Sequence, residues 1–373
     1  MNDNLIMGVF VLVAALIGFR FGIAVAIFEI AAGIIAGNFL GVKPNDWLNH
    51  FAEFGSLLLI FLAGSDIDVD FMMRRLKPVV IVGTVSFLAP FLVVLAYGHF
   101  IAHWDRNKLI LIAIASSSTS VAVVYPVLRD GGLLKVPLGK LMLLVAFLPD
   151  FLITVALFVF FTKFGWDTLA VIAALVALIV IMRHASFRFL RKYGETSSQL
   201  KLRFIFAILL FLAFVSEKGN LHASLAVFIM GIVVSELMKE QDDTDRNLRA
   251  VAFSIFVPTF YFKAGLMFSI SAMLQNWWMI LVMIALAFSA KFVGICLLGK
   301  PYFKEHIRYA SFLLNARLTF GTIAATYGLT HGIINQQYFS ILISMIILSS
   351  AIALVFTGKA PTAVLQPTFE EHQ

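Results

Sequence analysis

The sequence predicts an all-α polytopic membrane protein of about thirteen transmembrane helices, built as inverted repeats with two interrupted helices. Three observations carry that expectation. Of 373 residues, 61% are hydrophobic and 13% charged, against roughly 45–50% and about 25% in a soluble domain. A soluble core needs a polar surface to enclose it, and this chain lacks one. The mean hydropathy of +0.96 points the same way. Apolar runs then recur at spanning length from end to end, and the basic residues between them fall mainly on alternate loops.

Runs of roughly 17–25 apolar residues mark spans. They fall at about 5–19, 22–41, 51–65, 78–102, 109–128, 138–162, 168–184, 204–216, 221–238, 251–270, 277–299, 307–330 and 336–357. The first run has no basic residue before it and leads into others, which favours a first helix over a cleaved leader. The longest polar connection, near 183–203, is too short for a soluble domain. One membrane domain is therefore expected over 1–357, with a short cytoplasmic tail at 358–373. Thirteen spans put the termini on opposite sides. Loops on the C-terminal side then hold twenty Lys and Arg residues and the opposite loops five. Positively charged loops stay inside, so the N-terminus is expected outside and the C-terminus in the cytoplasm of the cell inner membrane. The net charge of +7 is thereby assigned to orientation, with membrane lipid as the partner and no nucleic acid.

Several chemistries lack their residues. The single cysteine, Cys296, lies in an apolar run and excludes a disulfide framework. No histidine spacing suits a resident metal, and no Walker loop, GxGxxG element or GxSxG elbow occurs, so neither a cofactor nor an enzyme activity is expected.

Attention then falls on charges inside spans, where an ionisable side chain is costly and functional by default. Asp150 is mid-span in the sixth run, directly after Pro149, which removes a backbone donor and kinks a helix. A carboxylate in low dielectric favours its protonated form unless a cation replaces the proton. That is the minimum machinery of proton/cation exchange, and the transported monovalent cation would be the metal at Asp150. Lys291 is mid-span in the eleventh run and is expected to pair with Asp150 as a removable counter-charge. The bland alternatives are a permanent Asp–Lys pair and a lysine reaching an interface.

The fifth span carries Ser116, Ser117, Ser118, Thr119 and Ser120, hydroxyl residues that compete with helix hydrogen bonds. They predict a broken helix in which Ser118, Thr119 and Ser120 supply oxygen ligands to Na⁺ or K⁺. The twelfth span carries Arg317, Thr319, Gly321 and Thr322 at a matching place. Two interrupted spans in corresponding positions point to an inverted-repeat transporter; the alternative is small residues in tight helix packing. Glu29 lies in the second span beside Gly33, Gly37 and Gly41, a face for close helix approach within a protomer or between two. Lys263 in the tenth span is read either as a cap on broken helix or as a lipid headgroup ligand.

The motifs His50-Phe-Ala-Glu-Phe-Gly55, Phe61-Leu-Ala-Gly64 with Asp66, Asp68, Asp70, Arg74 and Arg75 after it, and Phe28-Glu29 running to Gly37 resemble Kef-type members of the monovalent cation:proton antiporter-2 family. So do the hydroxyl-rich fifth span, Ala223 to Gly231, and Lys291 in its setting. The resemblance covers residues 5–357. It implies the sodium/proton antiporter fold and a homodimer. Each protomer would have a mobile core near 78–162 and 277–357 with crossed fifth and twelfth spans, and a dimerisation scaffold in the remainder. It also implies that Asp150 is the ion-binding aspartate and Lys291 the core lysine, with elevator-like exchange of a cation for H⁺. Pro149 stands where such antiporters usually have Asp or Asn, which opens stoichiometry, electrogenicity and ion preference. Gating by a nucleotide-binding domain, common after the membrane part of Kef-type proteins, is not implied by this chain. Two other functions fit the same fold: Na⁺-coupled symport of an organic anion bound near Arg317, and a membrane sensor without turnover.

Overall fold

The structure is a computed structural model that describes residues 3–21, 25–66, 69–161, 198–218, 223–239 and 242–358, with Ala173 and Ala177. Every regular element among them is helical. Twelve of the thirteen expected spans are present; the seventh, 168–184, and the tail after Gly358 lie outside the described residues.

The first three spans are α1 (Asp3–Phe21), α2 (Val25–Phe39) and α3 (Asp46–Ser65). A short α4 (Val69–Arg74) precedes α5 (Leu76–Phe100). The fifth span is two half-helices, α6 (Arg106–Ser116) and α7 (Val121–Asp130), and the sixth is α8 (Pro137–Phe161). After α9 (Ser198–Lys218) and α10 (Ala223–Lys239) comes α11 (Asp242–Val251), which passes through a π-helical turn at Ala252–Phe256 into α12 (Val257–Leu266). The short α13 (Ile270–Gln275) leads to α14 (Trp277–Phe303). The twelfth span is again two half-helices, α15 (Ile307–Leu313) and α16 (Thr319–Thr330), and α17 (Gln336–Thr357) closes the bundle.

Several boundaries differ from the sequence reading, two of them in the tenth span. The tenth span, α12, ends at Leu266, four residues short of the expected 270, because Ser269 accepts a hydrogen bond from the Ala272 N–H and starts α13. The polar stretch before that span is helical too. Its α11 buries Thr244 and Leu248 while the rest of its turns carry charge. Side chains also stop the chain at other helix starts: Asn45, Asp105 and Asn335 each accept an N–H from the first turn of α3, α6 and α17.

Glycines set the closest helix contacts. Gly33 of α2 lies against Gly265 of α12, where a Cβ on Gly265 would come 2.8 Å from the Gly33 Cα. Gly64 of α3 lies against Gly231 of α10 in the same manner, at 3.0 Å for a Cβ on Gly231. Dispersion between closely approaching backbones is what holds helices together in lipid, so small residues belong at such crossings. The two contacts are one contact repeated. With spans 1–6 and 8–13 as the two halves, the second corresponds to the ninth and the third to the tenth. The 2/10 and 9/3 crossings therefore exchange under the repeat. Gly37 faces Leu266, whereas Gly41 is the left-handed residue after α2 at φ +68° with no neighbour for a Cβ. Within this chain, then, Gly33 and Gly37 pack one helix of the protomer on another.

A leucine at Gly231 has no space to occupy. Gly231→Leu is expected to destabilise the protein by about 2 kcal/mol or more, measured as earlier thermal loss of the monodisperse species in detergent.

Candidate ion-exchange site at the helix breaks

The two broken spans meet at their breaks. Residues 117–120 and 314–318 run extended or turned between half-helices, and each break supplies partners for the other. The Ser120 N–H donates to the Ala316 carbonyl at 2.9 Å, and the Ser120 and Thr319 hydroxyls lie 3.0 Å apart. The Thr119 hydroxyl donates to the Leu314 carbonyl at 3.4 Å. Backbone groups that lose helix partners in hydrocarbon must find others, and here they find the opposite strand of chain.

Each half-helix also ends in a partial charge, positive at an N-terminus and negative at a C-terminus. At the start of α7, the Val121 N–H donates to Asp150 Oδ2 at 3.3 Å. At the end of α6, Lys291 Nζ donates to the carbonyls of Ser118 at 2.7 Å and Ser117 at 3.3 Å, and to the Thr119 hydroxyl at 2.6 Å. Both side chains are buried, Asp150 at 2% exposure and Lys291 at 0%. Acid and base thus cap opposite ends of one interrupted helix.

This corrects the expected Asp150–Lys291 contact. The ammonium makes all its hydrogen bonds at the α6 end and none to the carboxylate. It also changes the expected role of residues 118–120. The Ser117 and Ser118 carbonyls and the Thr119 hydroxyl accept from Lys291, and the Ser120 hydroxyl lies against that of Thr319, so in this conformation these oxygens are already hydrogen-bonded. The Ser118 hydroxyl turns back to the Ala115 carbonyl. What is free is Asp150 Oδ1, a buried oxygen without a hydrogen bond. Asp150 lines a small cavity of about 10 Å³ with Ile60, Val121, Phe147, Phe151, Thr154 and Phe320. That is room for about one water or bare ion. Pro149 sits inside a continuous α8 and leaves no second carboxylate or amide beside Asp150.

Arg317 is fully buried within the second break. Its guanidinium donates to the Ala287 carbonyl at 2.8 Å and to Asn315 Oδ1 at 3.1 Å, while Nε and Nη1 have no partner. Its backbone is tied to Ser350, whose hydroxyl accepts the Arg317 N–H at 2.8 Å. Thr319 joins the crossing, but Thr322 bonds only the Leu318 carbonyl in its own helix. Glu29 and Lys263 are not brought to the breaks. Glu29 is buried on α2, and Lys263 is half-buried on α12. Sequence reasoning missed Asn315 and Ser350; an amide and a serine pair inside otherwise apolar runs were the signal. No group of three or more His, Cys, Asp or Glu suited to a resident metal occurs among the described residues.

The fold and this crossing define an integral membrane cation/proton antiporter. The chain belongs to the sodium/hydrogen exchanger, transmembrane, family, whose model matches residues 8–358. It is 27% identical to YjbQ of Bacillus subtilis over 91% of its length, and spans 58% of that protein. It is 24% identical to the Na(+)/H(+) antiporter of Enterococcus hirae, covering 92% of this chain and 94% of that one. Its fold matches the sodium proton antiporter MjNhaP1 of Methanocaldococcus jannaschii at a TM-score of 0.71 and 15% identity, with 98% of both chains covered.

Loss of Lys291 takes a donor from two buried carbonyls and from the Thr119 hydroxyl, which keeps only its bond to Leu314. Since a buried group without a partner costs about 1–3 kcal/mol, Lys291→Ala is expected to lower stability by roughly 3 kcal/mol. Chemical denaturation in detergent checks this, with Asp150→Ala as the comparison: a single direct Asp150–Lys291 pair would make the two losses equal.

Proposed function

We propose that this chain exchanges Na⁺ or K⁺ for H⁺ at Asp150, with one proton or one cation bound at a time. The observation that carries the reading is the free Asp150 Oδ1 in a cavity of single-ion size, with Oδ2 held at the α7 N-terminus. An ionised Asp150 in low dielectric needs a positive charge beside it. The α7 end supplies only a partial one, and Lys291 is committed to the far side of the break. A proton or a monovalent cation completes the neutralisation, and the two exclude each other because they use the same oxygen. One carboxylate then gives one-for-one exchange without net charge movement, Lys291 remaining charged throughout.

The rest of the machinery follows from alternating access. The half-helices and α8 carry the exchanging group, and the units near 78–162 and 277–357 would move as a core. The remaining helices would form a scaffold through which two copies associate. Loop charge supports a cytoplasmic C-terminus in the cell inner membrane.

Flux in proteoliposomes tests this, with Na⁺, Li⁺ and K⁺ supplied separately and the membrane potential clamped. A pH gradient is expected to drive cation movement in the wild type without current, and Asp150→Asn is expected to lose it while eluting as the folded species. Normal exchange by that variant would overturn the mechanism. Competition at one oxygen also requires the apparent KM for the cation to rise as pH falls, while the maximal rate at saturating cation changes less. A KM independent of pH would place proton and cation at separate groups.

A further inference from the structure

Arg249 has no part in the exchange site, yet it joins three separate elements. On α11, it donates to Asp245 Oδ2 of its own helix at 2.6 Å and to Asp66 Oδ1, just past α3, at 2.9 Å. Its third bond goes to the hydroxyl of Tyr125, and the guanidinium lies 5.9 Å from that ring. Tyr125 is fully buried on α7, one turn after Val121, whose N–H holds Asp150. Arg249 therefore grips the half-helix that carries the exchange site, from elements outside it.

Two further contacts run along the same face of α7. The Tyr261 hydroxyl of α12 donates to the Ala122 carbonyl, and Arg129 lies 3.6 Å over the Phe253 ring in the π-helical turn. Ala122, Tyr125 and Arg129 are spaced at i, i+3 and i+7, one stripe of a helix. Arg249, Phe253 and Tyr261 belong to one continuous helical stretch, Asp242–Leu266. The stretch changes phase at the π turn, a feature that re-aims side chains and recurs at functional positions. All of these lie between Asp150 and the face that carries the basic loops. On that side of the site α7 is joined to its neighbours by polar and cation–π contacts, which can be broken singly.

We infer that Arg249 is the latch of this face: its bonds to Asp66 and Tyr125 hold α7 against α3 and α11 while the site is closed to the basic-loop side, and they part when it opens there. Asp66 Oδ2 is buried and unpartnered, so the arginine is held by one oxygen of that carboxylate and not by both. Arg249 acts through α7 and touches neither cation nor proton, which makes it a positioning residue. The inference rests on the alternating-access reading above.

The test uses Ile60→Cys in the cavity wall, in a Cys296→Ser background, labelled by a membrane-impermeant maleimide from each side of oriented vesicles. With Arg249→Ala added, labelling from the basic-loop side is expected to rise roughly tenfold, the loss of a charged hydrogen bond being worth about that much, and labelling from the opposite side to fall. Tyr125→Phe keeps the packed ring and removes only the hydroxyl; it is expected to shift both rates the same way by a smaller factor, and it carries the test if Arg249→Ala does not fold. Rates unchanged from both sides, or raised from both, would overturn the latch, since loosening of the bundle raises both. A wild type with no exchange in the flux assay would overturn the transport reading instead, while the two-sided labelling would still report on the latch.

Discussion

The structure depends on a helix that stops in the middle of a membrane. Ending α6 at Ser116 and starting α7 at Val121 exposes a negative helix end and a positive one in a region with no water to solvate them. The chain meets each with an ionisable side chain whose charged form has the opposite sign, Lys291 at the α6 end and Asp150 at the α7 end. The arrangement gives two side chains that would otherwise be intolerable in hydrocarbon a reason to be there. It also leaves them with different duties. Lys291 is saturated by its three acceptors in this conformation, whereas Asp150 keeps one oxygen uncommitted.

The second break solves the same problem by another means. Its extended residues take their partners from the first break, through Ser120 with Ala316 and Thr319, and from α17 through Ser350. Arg317 adds a second buried positive group near Lys291, bonded to neutral acceptors. The crossing is thus held by many hydrogen bonds of ordinary length that knit α6, α7, α15 and α16 into one body. The glycine crossings of α2 on α12 and of α3 on α10 do the same for the surrounding helices by close backbone contact. Between those bodies the contacts of α7 are fewer and chemically different, and motion concentrates where contacts can be exchanged. A rigid site beside a replaceable interface is the physical requirement for carrying an ion across without opening a pore.

The described conformation is closed around Asp150, with space for about one small particle. A cation entering it has lost most of its hydration shell. Oxygens must replace that shell, and the residues lining this cavity offer one uncommitted carboxylate oxygen, Asp150 Oδ1. With Pro149 before it, Asp150 is the one carboxylate that lines the cavity among the described residues.

Composition and loop charge alone determined the class, the spans and their alternation, because hydropathy and the cost of burying charge act locally and leave a record in each segment. The breaks were legible for the same reason: five consecutive hydroxyl residues in one apolar run and a polar Arg317 segment in another cannot continue a helix cheaply. Asp150 and Lys291 stood out as charges that topology left unexplained. Their relation did not. Opposite charges at equal depth suggest a pair, but depth says nothing about which helix ends lie beside them, and only the tertiary structure put Lys291 on the α6 carbonyls. The glycine face of α2 could equally have met a second protomer until α12 was seen against it. Arg249 was a loop charge in the sequence, indistinguishable from its neighbours. Its bonds to Asp66 and Tyr125 join residues 183 and 124 positions apart, and no local pattern records a contact made at such separation.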